Sequence, residues 1–144
     1  GCHVHEKFSV EAIVKLKQEH PEAVVMAHLE CKTPVLAVAD VKGSTATMLH
    51  YAQEHPEIKE YIIATEAGIL HELERNCPNV LFYPVPPEVS EGGIGCSCNE
   101  CEYMKMNTLK KIYNALKFGW PTVEVAEDIA KDAVKPIEKM LSLS

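Results

Sequence analysis

The stretch Ala23-Val24-Val25-Met26-Ala27-His28-Leu29-Glu30-Cys31 is a short apolar run that turns polar at His28. It is rich in β-branched residues and lacks the polar alternation of a half-exposed strand, which is how a strand covered on both faces of a parallel sheet reads. The strand is expected to end at His28. Upstream, Ser9 can cap a helix whose apolar residues Ile13, Val14 and Leu16 recur at helical spacing, ending near His20-Pro21. Downstream, Val35 to Ala39 suits a short helix after Pro34, and Gly43-Ser44-Thr45 leads into a longer one through Met48, Leu49 and Ala52. Tyr61 to Ala64 is the next strand, Ile69, Leu70 and Leu73 mark a helix closed by Asn76-Cys77-Pro78, and Val80 to Tyr83 is a further strand. Strand and helix alternate, so the fold class is α/β with a parallel sheet.

From Pro84 to Glu100 the chain is rich in Pro, Gly and Cys without periodicity and reads as a long loop. After it, Met104 to Leu116 has helical apolar spacing, Val123 to Val125 suits a short strand, and Glu127 to Leu141 reads as a closing amphipathic helix despite Pro136. The division expected is an α/β sub-domain over 1–92 and a cysteine loop with C-terminal helices over 93–144.

With 144 residues, 47% of them hydrophobic and 24% charged, one domain with a sizeable core is within reach. A net charge of -7 leaves no basic stripe, which argues against nucleic acid as a partner. There is no apolar run of membrane-spanning length and no signal-peptide pattern, so the cytoplasm is the default and a membrane is not an expected partner. Six cysteines in a chain of this size, with no mark of secretion, favour reduced thiols and metal ligation over a disulfide framework. The chain opens at Gly1 and enters a functional-looking segment at once, as the middle of something longer would.

Cys96-x-Cys98-x-x-Cys101, just ahead of a helix, is the densest signal. Thiolates near a helix N-terminus are favoured by its partial positive charge. Metal or cluster binding, a redox pair and unligated thiols all fit the spacing, whereas a zinc ribbon would need a second close pair. Cys2 lies in Gly1-Cys2-His3-Val4-His5, which is a zinc or nickel ligand set or a plain polar segment. Cys31 and Cys77 read as structural thiols beside element ends. His28 and Glu30 point to the same side of the first strand's carboxyl end, where α/β folds place ligands; a surface hydrogen bond is the plainer reading. Gly43-Ser44-Thr45 seats an anion on a helix N-terminus or merely caps it, and Thr65-Glu66 repeats the arrangement.

Taken in order, Gly1-Cys2-His3-Val4-His5-Glu6-Lys7-Phe8, His28-Leu29-Glu30-Cys31, Ala39-Asp40, Gly43-Ser44-Thr45, Ala64-Thr65-Glu66 and Cys101-Glu102-Tyr103-Met104-Lys105-Met106-Asn107-Thr108-Leu109 resemble the quinolinate synthase family across almost the whole chain. The resemblance implies a transferase of NAD biosynthesis that condenses iminoaspartate with dihydroxyacetone phosphate, releasing phosphate and water. It implies a fold of three similar α/β sub-domains about a pseudo-threefold axis, with a C-terminal helical return. Each sub-domain gives one cysteine to a central [4Fe–4S] cluster, and Cys2 and Cys101 are similar to the second and third of these. The first lies in an N-terminal part that this chain lacks, so the chain alone is expected to be inactive. Three cysteines for four irons leave one iron open as a Lewis acid. By the same resemblance Glu30 is the proton shuttle, His28 a hydrogen-bond donor to substrate oxygen, and Ser44 and Thr45 seat a carboxylate or phosphate. Leu29 departs from the family pattern, which usually has proline there, and Cys96 and Cys98 are extra to the ligand set.

Overall fold

The computed structural model describes residues 2–88 and 99–143, which leaves the readings made on Cys96 and Cys98 outside the described residues. Two compact units are present, Gly1–Lys105 and Met106–Ser144.

The first unit is a doubly wound α/β layer. Four strands, β1 (Val24–His28), β2 (Val41–Gly43), β3 (Glu60–Ala64) and β4 (Leu81–Pro84), lie in the order β2-β1-β3-β4, and every pairing is parallel. Between them run α2 (Thr33–Val38), α3 (Thr45–Glu54) and α4 (Ile69–Asn76), with α1 (Val10–Glu19) ahead of β1. The period of two along each strand sends alternate side chains to opposite faces. Val25, Ala27, Ile62 and Ala64 pack with Ile13 of α1 and Val35 of α2, while Met26, Tyr61 and Ile63 pack with Met48 and Ala52 of α3 and Leu73 of α4. Both faces are thereby covered, which is why the strand sequences run apolar without alternation.

The helix ends follow their capping residues. Ser9 Oγ accepts from Ala12 N and Ser44 Oγ from Thr47 N, at 3.3 and 3.2 Å, each taking one of the donors that a helix start leaves free. Helix α2 begins at Thr33, with Pro34 inside its first turn, where the missing N–H costs nothing. Strand β2 was not read from the sequence, because three residues, Val-Lys-Gly, are too few to show a period. Its lead-in is held by Asp40, whose N–H donates to Val25 O and whose carboxylate accepts from Val25 N, both at 2.9 Å or less. Ile62 is fully buried between two neighbouring strands. Ile62→Ala is expected to cost about 2–5 kcal/mol, since the cavity it leaves adds to the lost transfer energy. Urea unfolding checks this, and a loss below about 1 kcal/mol would mean that the sheet collapses around the gap.

In the second unit, α6 (Leu109–Phe118) and α7 (Glu127–Leu141) are the regular elements. The single helix expected over Met104 to Leu116 is instead α5 (Glu102–Lys105) and α6, because Thr108 takes the extended backbone of an N-cap and its Oγ1 accepts from Lys111 N at 3.2 Å. Gly119 ends α6 with φ of 63°, a left-handed turn that glycine adopts without a Cβ penalty. The strand expected at Val123 to Val125 does not form: among the described residues this unit has no other strand to pair with it, and a lone strand leaves its N–H and C=O groups unmatched. Helix α7 forms as read, carrying Pro136 within it. Among the described residues no helix is long and apolar enough to cross a membrane.

Candidate active site

Strand order fixes where a ligand can sit. The connection leaving β1 turns to β2 on one side, and the one leaving β3 turns to β4 on the other, so the carboxyl ends of β1 and β3 border a crevice at the point where the winding reverses. A cavity of about 490 Å³ opens there, lined by Cys2, His5, His28, Glu30, Thr45, Thr65, Glu66 and Cys101 among others. A larger hollow exists elsewhere on the first unit, lined by His20 and Glu60 among others, but thiols, imidazoles and carboxylates converge here.

Five of the six residues singled out in the sequence meet on this cavity: Cys2, His28, Glu30, Thr45 and Cys101. Ser44 is not part of the lining. Its hydroxyl serves the cap of α3 and bonds Thr47 Oγ1 at 3.1 Å. All four described cysteines are free thiols. Cys101 lies immediately before α5 and is buried, whereas Cys2 is partly exposed beside a one-turn 3₁₀ helix at His5–Lys7. An edge-to-face contact between His3 and Tyr103, with centroids 5.4 Å apart, ties the segment carrying Cys2 to the helix that follows Cys101.

His28 Nδ1 accepts the Glu30 N–H at 3.2 Å, which puts the imidazole proton on Nε2. Glu30 Oε2 lies 3.7 Å from His28 Nδ1, and its side chain is about half exposed, so the carboxylate can reach a ligand in the cavity.

His5 was not among the expected site residues, although the segment that holds it reads as a possible ligand set. It is 5% exposed, stacks on His28 with centroids 4.2 Å apart and planes 7° from parallel, and its Nε2 shares a 2.9 Å hydrogen bond with Thr65 Oγ1. Burial lowers its pKa below the usual histidine value; the His28 ring lowers it further, and Glu30 opposes both. His5 is therefore held neutral at neutral pH. Its Nδ1 has no aligned hydrogen-bond partner among the described residues, although Glu30 Oε2 is 3.3 Å away. The sequence signal was there in Cys2-His3-Val4-His5, but nothing local separates a buried imidazole from an exposed one. Cys2, His5 and Glu30 present ligand atoms that all lie within 4.8 Å of one another. An orphaned buried imidazole nitrogen next to thiols and a carboxylate is a donor set that fits an iron or iron–sulfur group.

Comparisons with known proteins place the chain in a family. The model of the family described as quinolinate synthetase A protein matches residues 1–142. Proteins named quinolinate synthase from Prochlorococcus marinus, a Nostoc species and Chloroherpeton thalassium are 46%, 45% and 44% identical to this chain, over 142, 144 and 144 residues. These matches cover 99–100% of the chain but only 41–43% of the relatives. The chain thus spans about two-fifths of the length of the curated proteins it matches, and it belongs to the quinolinate synthetase A family.

Proposed function

We propose that this chain carries two of the three cysteine ligands of a [4Fe–4S] cluster, Cys2 and Cys101, and the proton-transferring half of a site that condenses iminoaspartate with dihydroxyacetone phosphate to quinolinate, a step of NAD biosynthesis. The observation that carries the proposal is the meeting of both thiols with His28, Glu30 and Thr45 at the switch point of the sheet. The cluster, when bound, supplies a Lewis-acidic iron that polarises substrate oxygens and eases loss of water. The remaining work falls to side chains. His28 donates its Nε2 proton to a substrate oxygen, and Glu30 takes and returns protons during dehydration and tautomerisation, with buried His5 3.3 Å from its Oε2. Thr45, at the first turn of α3, seats a carboxylate or the phosphate, and Ser44 sets the helix end that presents it.

The rest of the site, including the first of the three cysteines, belongs to the part of the relatives that this chain does not span. The 144-residue chain alone is accordingly expected to show no turnover with both substrates under anaerobic conditions. Measurable quinolinate formation by the chain alone would overturn the division of the site proposed here. The full-length protein, reconstituted anaerobically with iron and sulfide, is expected to hold iron with the broad brown absorbance of a cluster.

A second reading, a thiol-rich site for a single divalent ion, is favoured by one observation: Cys2, His5 and Glu30 by themselves make a mixed sulfur, nitrogen and oxygen set of the kind zinc takes. Colourless full-length protein with a single zinc ion would decide for it.

A further inference from the structure

We propose that Glu66 is a positioning residue: its carboxylate straps Cys101 onto the turn between β3 and α4, and Gly68 has no side chain because the strap occupies that space. The proposal rests on the reading of Cys101 as a cluster ligand and extends it to the group that orients the ligand.

The two oxygens of Glu66 hold two different backbone donors. Oε1 accepts the N–H of Cys101 at 3.2 Å, and Oε2 accepts the N–H of Gly68 at 2.7 Å, so one carboxylate joins positions 35 residues apart to the start of α4. Gly68 has φ of -60° and ψ of -23°, a helical conformation open to any residue, so the backbone does not demand glycine there. Space does. A Cβ at position 68 would lie 2.6 Å from Glu66 Oε2, and its three nearest neighbours are all atoms of the Glu66 carboxylate. Independent bonds lay the same segment against the same turn: the Ala67 N–H donates to Asn99 O at 2.9 Å, and buried Asn99 donates its Nδ2 to Val85 O. Cys101 is thus held through its own N–H and through Asn99, two residues before it.

A carboxylate is the group this arrangement requires. Ionised, it is acceptor-only with two oxygens, so it satisfies two converging N–H groups with charge-assisted bonds. Glutamine offers one oxygen and one NH₂, which leaves a donor facing a donor. Groups that orient metal ligands typically contribute about 10–100-fold to metal affinity. Glu66 itself need not touch substrate to have this effect.

The test uses full-length protein loaded anaerobically with iron and sulfide, and reads the rate at which iron passes to excess bathophenanthroline. Glu66→Gln, Glu66→Ala and Gly68→Ala are each expected to lose iron about 10–100-fold faster than wild type. Glu66→Ala combined with Gly68→Ala should lose it no faster than Glu66→Ala alone, because the added Cβ then has no carboxylate to displace. This non-additivity distinguishes a strap from general damage to the fold, which would sum. Wild-type rates in Glu66→Gln and Gly68→Ala, or summed losses in the double variant, overturn the strap. Wild-type protein that takes up no iron overturns the cluster reading itself, and the strap with it.

Discussion

Cys2→Ser or Cys101→Ser in the full-length enzyme is expected to remove the cluster's visible absorbance, nearly all bound iron and all measurable activity. A cluster held by three thiolates with one iron open to substrate has no spare ligand, so losing either is not compensated. The other described cysteines set the contrast. Cys31 is buried, donates its Sγ–H to Ala64 O at 3.4 Å, and has its pKa pushed up to about 11, chiefly by burial. Burial also pushes the Cys77 thiol up, and Cys77 packs with Met48 and Leu73 on the other face of the sheet. A group held as thiol is a poor ligand, since binding requires the thiolate. Cys31→Ala and Cys77→Ala should therefore keep wild-type iron content, whatever they cost in stability. Cys96→Ser and Cys98→Ser are expected to keep it as well, being extra to the ligand set. Iron retained in Cys2→Ser and lost in Cys98→Ser would end the assignment.

Glu30→Gln should lose about 10²–10⁴-fold in turnover while keeping iron and substrate binding, the loss typical of a removed general acid–base group. The substitution keeps size and polarity and takes away only the ability to carry a proton. The geometry favours that role: the carboxylate is half exposed on the cavity side, with imidazoles 3.3 and 3.7 Å from its Oε2. His5 behind it is bonded to Thr65, and burial lowers its pKa below the usual histidine value, so it sets no fixed positive charge beside Glu30. Steady-state kinetics beside iron content checks the prediction. A near-normal rate would assign Glu30 to structure, whereas loss of iron would assign it to the metal.

Local sequence was enough to read the alternation of strand and helix, the buried parallel character of Val24 to His28, the cap at Ser9, and the helix over Glu127 to Leu141. Each rests on periodicity or a capping side chain within one element, and neighbouring residues carry that information. It was less reliable where a local pattern had competitors. Met104 to Leu116 keeps helical spacing straight through Thr108, yet the hydroxyl of Thr108 serves better as the cap of a new helix. Val123 to Val125 has strand composition but, among the described residues, nothing in its unit to pair with.

The ordered motifs also identified the family and the residues to watch, because their order survives in the chain without reference to space. What only the tertiary structure decided is how those residues meet. Strand order β2-β1-β3-β4 puts the ends of β1 and β3 side by side and so brings Glu30, Thr65 and Cys101 to one cavity. Burial turned His5 from a polar residue near a terminus into a neutral imidazole stacked on His28, and packing gave Glu66 two backbone donors far apart in sequence. Sheet order and burial arise from contacts between distant segments, whose energies depend on every element being in place together. No window of neighbouring residues contains them.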